Sequence, residues 1–232
     1  MLKALITDID GTITCPNRRL DTGAVGMIRS LVDQGVEVVL ASGNTSCFME
    51  ALCKMIGTQG SFIAENGGVY RIGYTGTPRI MGDQTASATA LEIIQAHFRA
   101  QGKELELFSP KYRFTDRAFA RTVPVPEVRE VLRDNPVQVI DTGYAIHLQA
   151  PGINKGIALV PLAEALGLGP EDFLAVGDSV NDIQMIRAAG IGIAVANAHP
   201  DAKAAADYVA VNEYGNGFVE GVKKYSSYFR AR

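Results

Sequence analysis

Short apolar runs alternate with amphipathic stretches along the first third of the chain. Ala4-Leu5-Ile6 stops abruptly at Thr7-Asp8-Ile9-Asp10-Gly11-Thr12, the pattern of a buried strand with polar residues at its carboxyl end. From Thr22 to Gln34, apolar Val25, Ile28, Leu31 and Val32 recur at helical spacing, and Gly35 supplies the stop. A second strand over 36–41 runs into Ser42-Gly43-Asn44-Thr45, and a helix over 45–56 closes at Gly57. Strands over 62–64 and 69–72 flank Glu65-Asn66-Gly67-Gly68, a tight turn with no direct catalytic role expected. Strands alternating with amphipathic helices predict a parallel sheet covered on both faces.

The rhythm breaks between about Gly82 and Ala150. The pattern there predicts a helix over 86–99, a strand over 105–108, a basic stretch of undetermined form and a helix over 126–133. Two strands follow, over 137–140 and 144–149, joined at Asp141-Thr142-Gly143, a hairpin signal. The earlier rhythm resumes at Pro151. It predicts a helix over 155–166, a strand over 173–176 ending at Gly177-Asp178-Ser179, a helix over 181–188 and a strand over 191–195. A short helix near Asp201, a strand over 208–211 and a closing helix over 218–229 complete it. Pro161 predicts a kink or a later start for its helix, since a mid-helix proline costs about 3 kcal/mol. The fold class is α/β: a Rossmann-like parallel-sheet core, residues 1–81 and 151–232, carrying a small inserted α+β unit, residues 82–150.

Composition narrows the functions open to such a chain. At 232 residues and 47% hydrophobic, it can bury a sizeable core. Lys and Arg total 22 against 25 Asp and Glu, so no cationic excess exists to neutralise nucleic-acid phosphates. No apolar run approaches the ~20 residues needed to cross a bilayer. Acidic residues arrive by Asp8, too early for a secretory signal. Cys15, Cys47 and Cys53 make an odd count without a Cys-x-x-Cys pair, which argues against a disulfide framework or a zinc site. A cytoplasmic protein is expected, monomeric or homodimeric, with neither a nucleic-acid nor a membrane partner.

The chemistry concentrates at strand ends, where open parallel sheets bind ligands. Asp8 with Asp10, Ser42 with Asn44, Lys155, and Asp178 with Asp182 all fall at such positions. Taken alone, Asp-x-Asp-Gly-Thr is equally a turn, and Asp178 equally a helix cap. Together the carboxylates pose a problem, because two like charges 4 Å apart repel by about 4 kcal/mol at an effective dielectric of 20. Converging aspartates need raised pKa values or a cation, and an all-oxygen site suits Mg²⁺. His97, His147 and His199 sit in unrelated settings and read as surface or satisfied histidines. Ser42-Gly43-Asn44 reads as a strand end opening a helix, a ready anion site. Lys155 also falls at a helix start, where the helix dipole disfavours a cation and an anionic partner would explain it. A carboxylate nucleophile, a second carboxylate for the leaving-group proton, and a cation with Lys and hydroxyl donors fit hydrolysis of a phosphate ester.

Asp8-Ile9-Asp10-Gly11-Thr12, Ser42 after an apolar strand, Lys155 and Gly177-Asp178-Ser179-Val180-Asn181-Asp182 resemble, in order, the four motifs of the haloacid dehalogenase-like phosphatases. The resemblance spans the whole chain, and the insertion between the second and third motifs is similar to a C2-type cap. The Ala41-Ser42-Gly43-Asn44 variant, compact cap and total length look most like archaeal-type phosphoglycolate phosphatases. It implies a small phosphorylated metabolite as partner, with 2-phosphoglycolate hydrolysed to glycolate and phosphate. It further implies Asp8 as nucleophile and Mg²⁺ ligand, and Asp10 as general acid/base lending its backbone carbonyl to the metal. Ser42 and Lys155 would hold the phosphoryl group, with Lys155 also restraining Asp8. Asp178 would ligate Mg²⁺, as would Asp182, directly or through water. Gly43, Asn44 and Asn181 fall where substrate contacts are usual. Related sugar phosphatases often carry Thr-Gly-Arg where Ser42-Gly43-Asn44 stands, which counts against a sugar phosphate.

Selectivity is expected from the inserted unit. Arg113, Arg117 and Arg121 follow Lys111 at helical spacing, and one of these four is a candidate to bind a substrate carboxylate. The competing readings are a phosphatase of the same fold acting on a sugar phosphate or phosphoglycerate-type ester, and a receiver-like signalling module. The insertion, and the position of Asp8 on the first strand, count against the signalling module. No Gly-x-x-x-x-Gly-Lys-Ser/Thr is present, and Gly215-Asn216-Gly217 does not follow the first strand as a nucleotide-binding loop would.

Overall fold

Four consecutive buried residues, Ala4 to Thr7, need cover on both faces, and they form an interior strand of the main sheet. The computed structural model describes residues 1–229. In chain order it begins with β1 (Ala4–Thr7), α1 (Thr22–Asp33), β2 (Glu37–Ala41), α2 (Ser46–Ile56), β3 (Phe62–Ala64), β4 (Val69–Arg71) and β5 (Arg79–Ile80). The middle group is α3 (Gln84–Ala100), β6 (Arg117–Ala120), α4 (Val125–Val131), β7 (Gln138–Asp141) and β8 (Ala145–Gln149). The last group is α5 (Lys155–Ala165), β9 (Phe173–Gly177), α6 (Ile183–Ala188), β10 (Ile191–Ala194), α7 (Pro200–Ala205), β11 (Tyr208–Val209) and α8 (Tyr214–Lys224).

The main sheet is eight-stranded, in the order β11-β10-β9-β1-β2-β3-β4-β5. Pairing is parallel from β11 to β3, and β4 and β5 extend the edge antiparallel. Side chains alternate between the two faces with the period of 2 that a strand imposes. Leu5, Val38, Leu40 and Leu174 pack with Ile28 of α1, Met49 of α2 and Phe218 of α8. Ala4, Ile6, Val39 and Ala175 face the other way, onto Leu159 and Leu162 of α5. The middle group has its own antiparallel sheet, β6-β8-β7, and a third core in which Ile94 and Phe98 of α3 meet Phe119, Ile146 and Leu148. The chain leaves the main sheet at Gly82 and returns at Ile153, and these points are neighbours. A Cβ added to Gly82 would lie 3.1 Å from Ile153 Cγ1.

Several expectations need correction. The predicted strand over 105–108 makes only one isolated bridge, Leu107 to Phe119. The basic stretch contains β6, so Arg117 and Arg121 do not share a helical face. Helix α5 starts at Lys155 and runs through Pro161. The carbonyl that loses its donor there belongs to Ile157, an exposed residue, while Leu159, Leu162 and Ala163 anchor the buried side. The closing helix begins earlier and ends earlier than expected, at Tyr214 and Lys224. Its glycines, weak helix formers, sit where neighbours approach closely: Cβ atoms on Gly215 and Gly217 would lie 2.2 Å from Asp21 Cβ and 2.2 Å from the Asn212 carbonyl oxygen.

Candidate active site

Parallel register brings three strand ends level. Thr7 pairs with both Leu40 and Val176, so Asp8, Ser42 and Asp178 emerge at one edge of the sheet. Lys155, the first residue of α5, reaches in beneath them. Asn154 caps that helix, its Oδ1 accepting from Ile157 N at 2.9 Å. Lys155 has no exposed surface, and its Nζ donates to Asp8 Oδ1 at 2.5 Å and to Asp182 Oδ1 at 2.6 Å. Burial works against the ammonium charge, but Asp182 and Asp8 outweigh it and hold the lysine pKa above its ordinary value. The anionic partner expected of Lys155 is thus a pair of carboxylates within the chain.

Asp182 serves two structures at once. While Oδ1 faces Lys155, Oδ2 accepts from the backbone N–H groups of Asp178 at 3.0 Å and Ser179 at 2.9 Å, closing the turn after β9. Asp178 Oδ1 accepts from Thr12 Oγ1 at 3.1 Å. Gly11, at φ +94°, presses its backbone against the same carboxylate, and a Cβ there would lie 2.2 Å from Asp178 Oδ2. Asp8, Asp178 and Asp182 each offer an oxygen within 4.8 Å of the others. Burial raises the Asp8 pKa well above the carboxylate range, with the Asp182 charge adding to it. Burial and Asp182 likewise push Asp178 up to about 7. Three carboxylates against one ammonium leave a negative excess that a hard, oxygen-liganded cation would balance.

Asp10 occupies a different environment. It is half-buried, and its Oδ2 accepts from Asn44 Nδ2 at 3.0 Å. Ser42 Oγ accepts from the Asn44 backbone N–H at 3.1 Å and from Asn44 Nδ2 at 3.0 Å, which leaves the hydroxyl proton free for another acceptor. Ser42-Gly43-Asn44 lies in the turn before α2, whose N-cap is Thr45, so these residues precede the helix and do not begin it. Asn181 donates to Asn66 Oδ1 at 2.8 Å. Asp8, Asp10, Ser42, Gly43, Asn44 and Asn181 line one cavity of about 460 Å³, with Lys155, Asp178 and Asp182 joined to it through Asp8.

The inserted unit supplies the opposite wall, and most of that wall was not legible in the sequence. Arg113 alone of the basic stretch lines the cavity. Lys111 is exposed, Arg117 donates to the Asp116 carbonyl, and Arg121 pairs with Asp141 at 2.8 Å. His147, expected to be a surface or satisfied histidine, is buried in the cavity wall. The other two fit that expectation: His97 pairs with Glu127 at 2.8 Å, and His199 caps α7. At the rim, the Arg18 guanidinium lies 4.8 Å from the centroid of the Tyr144 ring. Glu65 is wholly buried and accepts from the backbone N–H groups of Phe114, Thr115 and Asp116, tying the turn after β3 to the inserted unit. No single-residue signal marks Asp116, His147 or Glu65, since their partners come from distant parts of the chain.

A lysine-bridged carboxylate cluster at the carboxyl ends of β1 and β9, under a second α+β unit, defines a hydrolytic enzyme on an α/β sheet. Residues 5–139 and 127–222 match the model of the haloacid dehalogenase-like hydrolases, and the chain belongs to that family. It is 57% identical over 234 residues to the phosphoglycolate phosphatase of Methanoculleus marisnigri, spanning 100% of both chains. The identity to the phosphoglycolate phosphatase of Methanospirillum hungatei is 50% over 232 residues, again 100% of both. Among solved structures, a Thermoplasma acidophilum protein superposes with a TM-score of 0.84 at 26% identity, covering 97% of this chain and 99% of that one. Among the described residues, no helix is long and apolar enough to cross a membrane.

Proposed function

We propose that this hydrolase is a Mg²⁺-dependent phosphatase that converts 2-phosphoglycolate to glycolate and phosphate through an aspartyl-phosphate on Asp8. The observation that carries the chemistry is the buried Lys155 bridge, which fixes the Asp8 side chain and offsets part of the burial and Asp182 charge that favour its protonated form. The full-length relatives named phosphoglycolate phosphatase support the substrate. Residues 1–81 and 151–232 act as the catalytic core, and residues 82–150 as a cap over it.

An Asp8 carboxylate oxygen attacks phosphorus, and the bond from phosphorus to the glycolate oxygen breaks. Asp10 gives that oxygen its proton. Asp10 then accepts a proton from water as the water attacks the aspartyl-phosphate, the bond to Asp8 breaks, and phosphate leaves. Ser42 donates its free hydroxyl proton to a phosphoryl oxygen, and Lys155 balances charge from below. Asp8, Asp178 and the backbone carbonyl of Asp10 would hold Mg²⁺. Asp182 is the weakest direct ligand of the set, because both its oxygens are already engaged. When bound, Mg²⁺ neutralises charge on the transferring phosphoryl group. Asn44 takes the position of the arginine of related sugar phosphatases and is spent within the core, on Asp10 and Ser42.

The test is kcat/KM with Mg²⁺ across 2-phosphoglycolate, hexose and pentose phosphates, phosphoglycerates and phosphoserine, with Asp8→Asn as the blank. The expected result is a preference for 2-phosphoglycolate and a loss on the order of 10⁴-fold or more in the variant. A preference for sugar phosphates would keep the chemistry and discard the substrate. Turnover that survives in Asp8→Asn would discard the nucleophile.

A further inference from the structure

We propose that Arg113 and His147, held by Asp116, form the subsite for the substrate carboxylate, an inference that rests on the phosphatase reading above. Arg113 is buried, and three of its bonds fix it in place. Nε donates to the Phe108 carbonyl at 2.8 Å, while Nη1 donates to Asp116 Oδ1 at 2.6 Å and to the Gly43 carbonyl at 3.1 Å. Its remaining amino group, Nη2, has no hydrogen-bond partner among the described residues. His147, from β8, shares a 2.7 Å hydrogen bond between Nδ1 and Asp116 Oδ2. Its other ring nitrogen, Nε2, likewise has no partner among the described residues. Both side chains line the cavity that holds Asp8 and Ser42.

Asp116 is a positioning residue. It is wholly buried, and its two oxygens are taken by Arg113 and His147. Burial alone would raise its pKa, but His147 and Arg113 more than reverse that and hold it below the usual carboxylate range. An ionised Asp116 accepts from Nδ1–H, so Nε2 is the nitrogen left to meet a ligand. Nothing on Asp116 remains to satisfy Nη2 or Nε2, and an anion accepting from both, with His147 then carrying a proton on each ring nitrogen, would complete the set. Glu65, the buried acid of the turn after β3 that holds the same loop, is spent on the backbone N–H groups of Phe114, Thr115 and Asp116.

Position sets the size of the acid. Gly43 follows Ser42, and Arg113 bonds the Gly43 carbonyl. On the same glycine, an added Cβ would lie 3.1 Å from His147 Cε1. The carboxylate subsite therefore borders the turn that handles the phosphoryl group. That adjacency suits a short acid, such as one whose carboxylate lies one carbon from the phosphoester oxygen. A sugar phosphate would bring hydroxyl groups to the same donors in place of a charged acceptor.

The experiment compares kcat/KM for 2-phosphoglycolate with that for 2-hydroxyethyl phosphate, which has the same chain length and a hydroxymethyl group in place of the carboxylate. Taking the ratio cancels whatever a substitution does to the shared phosphoryl chemistry. We expect the ratio to fall by about 10- to 100-fold in Arg113→Lys and by about 10-fold in His147→Gln, mainly through KM. Asp116→Asn is expected to lower it too, by loosening both donors. Because Arg113 also anchors its loop, a misfolded Arg113→Lys leaves the decision to His147→Gln. Unchanged ratios in the folded variants would overturn the subsite while the phosphatase reading stands. No wild-type preference for 2-phosphoglycolate over its uncharged analogue would overturn the subsite and the assigned substrate together.

Discussion

A lysine with no exposed surface survives in a folded protein only if its charge is met, and Lys155 meets two carboxylates at 2.5 and 2.6 Å. Removing one partner of a buried ion pair costs more than the pair contributes, because the charge left behind is neither solvated nor matched. Lys155→Met would strand Asp8 and Asp182 together. We expect it to lose about 3–5 kcal/mol of stability in denaturant unfolding and nearly all turnover. A loss of activity with stability intact would show that the lysine acts on the substrate alone. Sequence made this residue conspicuous because a cation at a helix N-terminus runs against the helix dipole. The dipole argument did not show that the neutralising charges lie in the chain itself, since Asp8 is 147 positions away; the family resemblance implied the Asp8 contact but not the one to Asp182.

Elements were legible where burial imposed a period and obscure where it did not. β1, β2 and β9 read clearly because interior parallel strands are continuous apolar runs, and their polar terminations named Asp8, Ser42 and Asp178. β5 was missed because it has only Arg79 and Ile80, both exposed, and rests on β4 alone. β6 was missed because Arg117-Ala118-Phe119-Ala120 sits among basic residues at helical spacing. The grouping of Arg113, one of four basic candidates, with Asp116 and His147 was hidden for a related reason. These residues meet only after the loop before β6 folds onto β8, and Asp116 and His147 are 31 positions apart. Helix α8 shows packing overriding propensity, and two substitutions measure it. Gly217→Ala improves helix propensity, yet its Cβ would lie 2.2 Å from the Asn212 carbonyl oxygen. It should cost about 1–3 kcal/mol. Gly26→Ala, at an exposed position of α1 with nothing within 4 Å, should gain about 1 kcal/mol. Thermal unfolding of the pair checks both signs, and equal shifts would mean that α8 yields more easily than its contacts suggest.

Across the whole molecule, the acidic cluster links stability to pH. Asp8 and Asp178 hold their protons to higher pH in the folded chain, Asp178 to about 7, while an unfolded aspartate releases its proton near 4. Between about pH 4 and 7 the folded state therefore binds more protons at Asp178, so that group's contribution to stability falls as pH rises and is lost above that window, and Asp8 acts in the same direction. Glu65 acts in the same direction and Asp116 in the opposite one. For metal-free protein, the decline in Tm from pH 5 to pH 8 should be smaller in Asp178→Asn than in the wild type. Mg²⁺ competes with the same protons, so it should raise the wild-type Tm more at pH 8 than at pH 5. A Mg²⁺ shift that is equal at both values, or an undiminished decline in the variant, would remove the cluster from this account.

The adjacency of Gly82 and Ile153 bears on inheritance. The chain departs from and rejoins the main sheet at neighbouring points, so the segment between them is a single detour with one doorway. Segments of other lengths and shapes can be spliced through that doorway without re-threading a strand of the sheet. Asp8, Lys155 and Asp178 all lie outside the detour, while Arg113, Asp116 and His147 lie within it. On the proposed roles, a lineage can trade one contiguous stretch of gene for another, altering which phosphate esters its enzyme accepts while passing on the bond-breaking apparatus intact.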